Sequence, residues 1–315
     1  MIFASLAASA ALAVAGGQTA VAPPPPHPQT APVPIPATEI VREDGLVAEY
    51  FAARGEPVSP GAVVVLGGSE GGLRGARNLA RRLAGEGFAS IAVSYFGEEG
   101  QPTKLDGIPI ESVSRAIDWL QAHDVRGPVA AVGVSKGAEL ALLSASREPR
   151  IKAVVAAVPS HLVWQGIDMA GGQTGSSWSA DGAPLAYTPY DLSNGFTSIF
   201  NLYRDSLPGA VPDSEIPVEA IAGPVMLVSG EADGLWPSTE MAQRIEQRLR
   251  EKRFAHPVVN LSYPDAGHAV FGPPVAADTP GLQNILSLGG TIDGLIAARA
   301  DGWPQVLAFP REALD

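Results

Sequence analysis

The chain has no cysteine among its 315 residues. That excludes a disulfide framework and any lipid attached through a cysteine, although it does not by itself fix a compartment. Metal-binding patterns are missing as well: there is no H-E-x-x-H, and the five histidines are scattered. No G-x-x-x-x-G-K-[ST] occurs, so a phosphate-cradling loop of that kind is set aside. Positive charge is in short supply. Twenty-one Lys and Arg face 33 Asp and Glu, a formal net charge of −12, which disfavours nucleic acid and anionic membrane surfaces as partners. No internal repeat is visible. With 46% hydrophobic and 17% charged residues, the composition is that of an ordinary globular protein rather than a disordered one.

No apolar run reaches the roughly 20 residues that a stable membrane span needs. The run nearest the start, Ile2 to Ala15, is Ala-rich and ends in small residues, and no Lys or Arg precedes it. Ala13-Val14-Ala15 and Ala20-Val21-Ala22 both fit a small-residue cleavage pattern, so residues 1–22 are expected to be a signal peptide. The mature chain would then be periplasmic or secreted; it would be cytoplasmic if the segment is no signal. Residues 23–38, opening on Pro23-Pro24-Pro25-Pro26, read as an extended tether.

From Glu39 the signals alternate between strand and helix. Asp44-Gly45 between two apolar runs predicts an antiparallel hairpin at a sheet edge. The continuous apolar run Ala62–Leu66 predicts a strand buried on both faces and Ala89–Tyr95 the next buried strand; Val129–Val132, Ile151–Val158, Val225–Ser229 and Val258–Tyr263 supply further strands. Helical spacing appears at Asn78–Glu86, Ile110–His123 and Ser238–Lys252. The pattern predicts a mainly parallel sheet with helices on both faces. It breaks between Pro159 and Pro217, a stretch rich in Gly, Ser, Pro and aromatics. Such an insertion, about 159–217, is expected to be an irregular lid or binding segment; a packed surface excursion is the plainer alternative.

Gly133-Val134-Ser135-Lys136-Gly137 sits between a strand run and the helix-prone Ala138–Leu143. Strand, G-x-S-x-G turn and helix in that order describe a nucleophile elbow, which thrusts a serine hydroxyl above the sheet. A bare Gly/Ser turn would have the same pentapeptide. A serine hydroxyl needs a base, and the base needs an acid to fix its tautomer. Asp233 follows the strand ending at Ser229, and His268 follows the strand ending at Tyr263, which gives the order Ser, Asp, His. Taken singly, Asp233 is an Asp-Gly turn residue and His268 a loop histidine; Glu231 is a rival acid, and Asp265 more plausibly shapes the loop. For an oxyanion, the backbone N–H of Lys136 is the first donor expected. In the Gly67-Gly68-Ser69-Glu70-Gly71-Gly72 loop, Ser69 is the second, with Glu70 as rival. The side chain of Lys136, beside Glu139, is expected to support the elbow helix. His161 and the aromatics Trp164 and Trp178 are candidates for touching substrate.

The stretches Leu66–Gly72, Val132–Glu139, Ser229–Ser238 and Tyr263–His268, with Pro159-Ser160-His161, Trp164 and Ser176-Ser177-Trp178, carry a resemblance. Together they resemble the C-terminal catalytic domain of the acyl-CoA thioester hydrolase and bile acid-CoA:amino acid N-acyltransferase family, within the dienelactone-hydrolase-like α/β-hydrolases. The resemblance implies an α/β-hydrolase domain over 39–315, with Ser135 as nucleophile, His268 as base and Asp233 as orienting acid. It implies a serine acyl hydrolase acting on a small-molecule ester or thioester, with no cofactor or metal. Acyl transfer to an amine and a non-catalytic binding protein on the same fold are the alternatives.

Overall fold

A computed structural model describes residues 35–314; the expected signal peptide and most of the expected tether lie outside them. Residues 35–38, placed in the tether by composition, pack on the domain. The Ile35 carbonyl accepts from Arg81 Nε at 2.7 Å, and the Thr38 amide donates to the Tyr50 carbonyl at 2.7 Å.

The strands run β1 (Glu39–Glu43), β2 (Leu46–Phe51), β3 (Ala62–Leu66), β4 (Ala89–Ser94), β5 (Ile108–Pro109), β6 (Val129–Val134), β7 (Ile151–Ala157), β8 (Trp178–Ala180), β9 (Ala183–Pro184), β10 (Val225–Gly230) and β11 (Val258–Tyr263). Eight of them form the main sheet in the order β1-β2-β4-β3-β6-β7-β10-β11. The β1–β2 hairpin is antiparallel and adds antiparallel to β4, whereas every pairing from β4 to β11 is parallel. This is the mainly parallel sheet that the alternating signals predict, in the α/β-hydrolase arrangement that the resemblance implies.

Side chains alternate across a strand, so a strand covered on both faces must be apolar throughout. β3 shows this directly: Val64 and Leu66 enter one core, Val63 and Val65 the other. Helices α1 (Arg74–Gly85) and α6 (Ile292–Leu314) cover the Val63 face through Ala80, Leu83, Ala298 and Val306. Helices α2 (Glu111–Ala122), α3 (Lys136–Ala145) and α5 (Ser238–Glu251) cover the other through Ile117, Leu140 and Ile245. α1 begins about one turn earlier than the apolar spacing predicts. The sequence does not predict α6, because Pro304 and Pro310 lie inside it and proline argues against helix.

The 159–217 insertion is less irregular than its composition indicates. β8 pairs with β5 and with β9 in a small three-stranded sheet. Helix α4 (Ile199–Ser206) follows, its first turn capped by Ser198, whose hydroxyl accepts from the Asn201 amide. Pairings of two or three residues are too short to leave a periodic trace. No helix among the described residues is long and apolar enough to cross a membrane.

Candidate active site

Ser135 lies between β6 and α3 at φ 58°, ψ −122°, a conformation that L-residues rarely hold. The turn closes because its flanks are glycine: a Cβ on Gly133 would overlap the Gly137 carbonyl, and one on Gly137 the Gly67 carbonyl. The Ser135 amide donates to Ala157 O on β7 at 2.9 Å, which fixes the turn to the sheet. Lys136 is the first residue of α3, so its amide has no acceptor within the helix and lies at the positive end of the helix dipole.

Asp233 and His268 come together as expected. The His268 Nδ1 lies 2.8 Å from Asp233 Oδ2 and 3.0 Å from Oδ1, and both residues are buried. Asp233 is ringed by donors. Its Oδ1 accepts the amides of Leu235 at 2.8 Å and Trp236 at 3.2 Å, and its Oδ2 accepts the Ser238 hydroxyl at 2.6 Å. With an acceptor-only carboxylate opposite it, Nδ1 carries the proton, leaving Nε2 as the basic nitrogen. The rival Glu231 is engaged elsewhere, accepting from the Ser262 hydroxyl at 2.9 Å. Asp265 works through its backbone, its carbonyl accepting the Thr291 amide at 2.9 Å. Ser135 is half-buried and, among the described residues, shares no hydrogen bond with His268.

One supporting element escaped the sequence. The Leu288 carbonyl accepts both the Gly234 amide, at 3.0 Å, and the His268 amide, at 2.9 Å. Gly289 and Gly290, at φ 87° and 74°, bridge to Asp233 and Ala266. A Cβ on Gly289 would overlap the Ala232 carbonyl, so only glycine passes between the acid and base loops. The sole signal was the Gly-Gly pair itself, and it lies in a stretch with no periodicity.

The three residues assigned to substrate contact are placed differently. Trp164 and Trp178 are fully buried, with indole N–H groups donating to Ser160 Oγ at 2.8 Å and Glu139 Oε1 at 2.7 Å. They are packing residues and present no contact surface. Trp164 instead starts an aromatic chain through Tyr203 and Trp236 that ends edge-on at the His268 ring, 5.9 Å away. His161 is buried, and its Nδ1 has no partner among the described residues. Burial, then the nearby charge of Arg244, lowers its pKa to about 4. The unfolded chain therefore takes up a proton near pH 6.5 that the native chain refuses until about pH 4. Stability tied to neutral His161 is whole above pH 6.5 and lost as the pH falls toward 4, worth about 3 kcal/mol. Urea midpoints measured from pH 7 to pH 4 should fall more steeply for the parent than for His161→Asn. Parallel curves would refute this.

Lys136 and Glu139 form a fully buried ion pair, Nζ to Oε2 at 2.9 Å, in the first turn of α3. Lys136 Nζ also donates to Ser177 Oγ at 2.9 Å, while Glu139 Oε1 accepts the Trp164 amide at 3.1 Å and the Trp178 indole. The pair thus fastens the insertion to α3, which extends its expected role in supporting the elbow helix. Burial pulls the Lys136 pKa down and pushes the Glu139 pKa up, each partly opposed by the other's charge. Among the described residues, no group of three or more His, Asp or Glu is placed to hold a metal ion.

The family model described as BAAT / acyl-CoA thioester hydrolase C terminal matches residues 108–315, and that of X-Pro dipeptidyl-peptidase (S15 family) matches residues 22–192. The mouse peroxisomal succinyl-coenzyme A thioesterase is 29% identical over 278 residues, covering 85% of this chain and 63% of that protein. Human acyl-coenzyme A thioesterase 6 is 28% identical over 292 residues, covering 86% and 64%. The chain thus spans less than two thirds of the length of these relatives. Among solved structures, the Pyrococcus furiosus esterase Pf2001 superposes with a TM-score of 0.51 at 16% identity, covering 86% of this chain and 88% of that one. That likeness shows the fold.

Proposed function

The chain belongs to the BAAT / acyl-CoA thioester hydrolase C-terminal family, and we propose from this membership and from the geometry that it is a serine hydrolase cleaving an acyl ester or thioester. The observation that carries the proposal is the Asp233–His268 hydrogen bond at the carboxyl ends of β10 and β11, on the sheet edge where Ser135 is held at φ 58°.

Ser135 Oγ attacks the acyl carbonyl carbon while His268 Nε2 takes its proton; in free enzymes this contact is commonly long and tightens when substrate binds. Asp233, bonded to Nδ1, stabilises the imidazolium that results. The negative oxygen of the tetrahedral intermediate accepts the N–H groups of Lys136 and Ser69. Collapse breaks the C–O or C–S bond, and the imidazolium protonates the departing alkoxide or thiolate. Water, deprotonated by His268, then attacks the acyl-enzyme and frees the acid with Ser135 restored.

The relatives' printed names speak of acyl-coenzyme A, which makes a thioester the first substrate class to try. Acid-quenched reactions with a panel of acyl-coenzyme A thioesters and p-nitrophenyl esters should yield a peptide acylated at Ser135, seen by mass spectrometry. Turnover with the acyl group on another residue would refute the proposal. Export, expected from residues 1–22, is proposed separately: coenzyme A thioesters are intracellular, so a cleaved mature N-terminus, read from its mass, would favour an ester over acyl-coenzyme A as the substrate.

A further inference from the structure

Tyr95, the residue after β4, is buried and takes no part in the chemistry above. Its hydroxyl lies 2.7 Å from the Gly67 carbonyl oxygen and 2.9 Å from that of Gly68. One O–H shared between two acceptors clamps both peptides of the loop after β3. That loop runs against the nucleophile: a Cβ built on Gly68 would stand 3.4 Å from the Ser135 Cβ.

A trans peptide is planar, with its C=O and N–H on opposite sides. Drawing the Gly67 carbonyl to Tyr95 turns the Gly68 amide the other way, where Glu70 Oε1 accepts it at 3.2 Å. Drawing the Gly68 carbonyl to Tyr95 likewise turns the Ser69 amide away from the tyrosine, and that amide has no acceptor among the described residues. Without the clamp, two successive glycines would leave these peptides free to rotate. We infer that Tyr95 is a positioning residue for the oxyanion site, its hydroxyl setting the plane of the Gly68–Ser69 peptide so that the Ser69 N–H meets the oxygen that becomes negative when Ser135 attacks. The inference rests on the acyl-enzyme proposal.

The clamp is itself held from behind. The Tyr95 ring meets Trp178 edge-on at 5.4 Å, and the Trp178 indole is tied to Glu139, the partner of Lys136. The loop that carries one oxyanion donor and the helix that carries the other therefore hang from one buried network. Burial, with the charges of Glu70 and Glu139, holds the Tyr95 phenol protonated well above its ordinary range, so it stays a donor.

The test is the rate of Ser135 phosphonylation by a fluorophosphonate, a probe that requires no knowledge of the natural acyl group. The Oγ–P bond forms, P–F breaks, the hydroxyl proton passes to His268, and fluoride leaves while charge builds on the phosphoryl oxygen. Tyr95→Phe keeps the ring and removes only the hydroxyl. It should lower the maximal labelling rate about tenfold or more and leave the half-saturating probe concentration within about twofold, in a chain that still unfolds cooperatively in urea although its midpoint falls because two carbonyls lose their donor. An unchanged maximal rate overturns the inference. A parent chain that is not labelled at all overturns the acyl-enzyme proposal instead, so the two failures are distinct. If Tyr95→Phe does not fold, Trp178→Phe decides, because it withdraws the support behind Tyr95 without touching the loop. A loss confined to the maximal rate then supports the inference; no loss, or one confined to probe binding, overturns it.

Discussion

Replacing Asp233 by Asn is expected to lower kcat for a short p-nitrophenyl ester by roughly 10⁴-fold while the protein stays folded. The reason lies in which oxygen does what. Oδ1 serves two fixed backbone donors, the amides of Leu235 and Trp236, so the single amide oxygen of Asn will occupy that place. The NH₂ group then falls where Oδ2 stood, against His268 Nδ1 and the Ser238 hydroxyl. A donor facing Nδ1 forces the proton onto Nε2, the nitrogen that must be free to act as base. Ser135→Ala should cost at least as much, since it removes the proposed nucleophile. Ser135→Gly should also be inactive, yet more stable than the parent by about 1 kcal/mol, because glycine accepts φ 58° without strain. Steady-state kinetics with urea unfolding of all three variants checks both halves. Asp233→Asn within about tenfold of the parent would remove Asp233 from the mechanism.

The sequence made legible what short-range rules govern. Ala62–Leu66 is a strand at the predicted ends, because an unbroken apolar run in a parallel sheet leaves little choice; Val258–Tyr263, the half-buried edge strand with Asn260 and Ser262 in it, also keeps its predicted ends. Asp233 and His268 were legible because each follows such a strand directly, where loops at the carboxyl edge converge. Residues that act across long separations stayed hidden. Tyr95 reaches Gly67 over 28 positions, and Leu288 joins loops that look unrelated in the chain. The tryptophans misled for a physical reason. An aromatic in a Gly- and Ser-rich stretch fits a binding surface as well as a core, and only the Glu139 carboxylate, 39 positions from Trp178, decides for the core. α6 was lost because Pro304 and Pro310 outweigh the apolar spacing of Leu295, Ala298 and Val306, which the sheet face supports regardless.

Glu139 also makes Lys136→Met the substitution with the largest expected effect on stability. Methionine fills nearly the same space, so packing alone would cost little. The loss is electrostatic: a fully buried carboxylate is left with the Trp164 amide and the Trp178 indole as donors but no countercharge. Breaking one side of such a pair costs about 3–5 kcal/mol, a large part of a typical domain's stability. Burial already pushes the Glu139 pKa up with Lys136 present, and removing the lysine should push it further, so the variant should lose most at neutral pH and less in mild acid. Lys136→Met/Glu139→Gln separates charge from shape. The glutamine oxygen still accepts both tryptophan donors and neither charge remains, so most of the lost stability should return. Urea unfolding of the parent, the single and the double variant at pH 7 measures the cycle. A single variant within about 1 kcal/mol of the parent, or a double variant no better than the single, would show that the pair does not hold the insertion to α3.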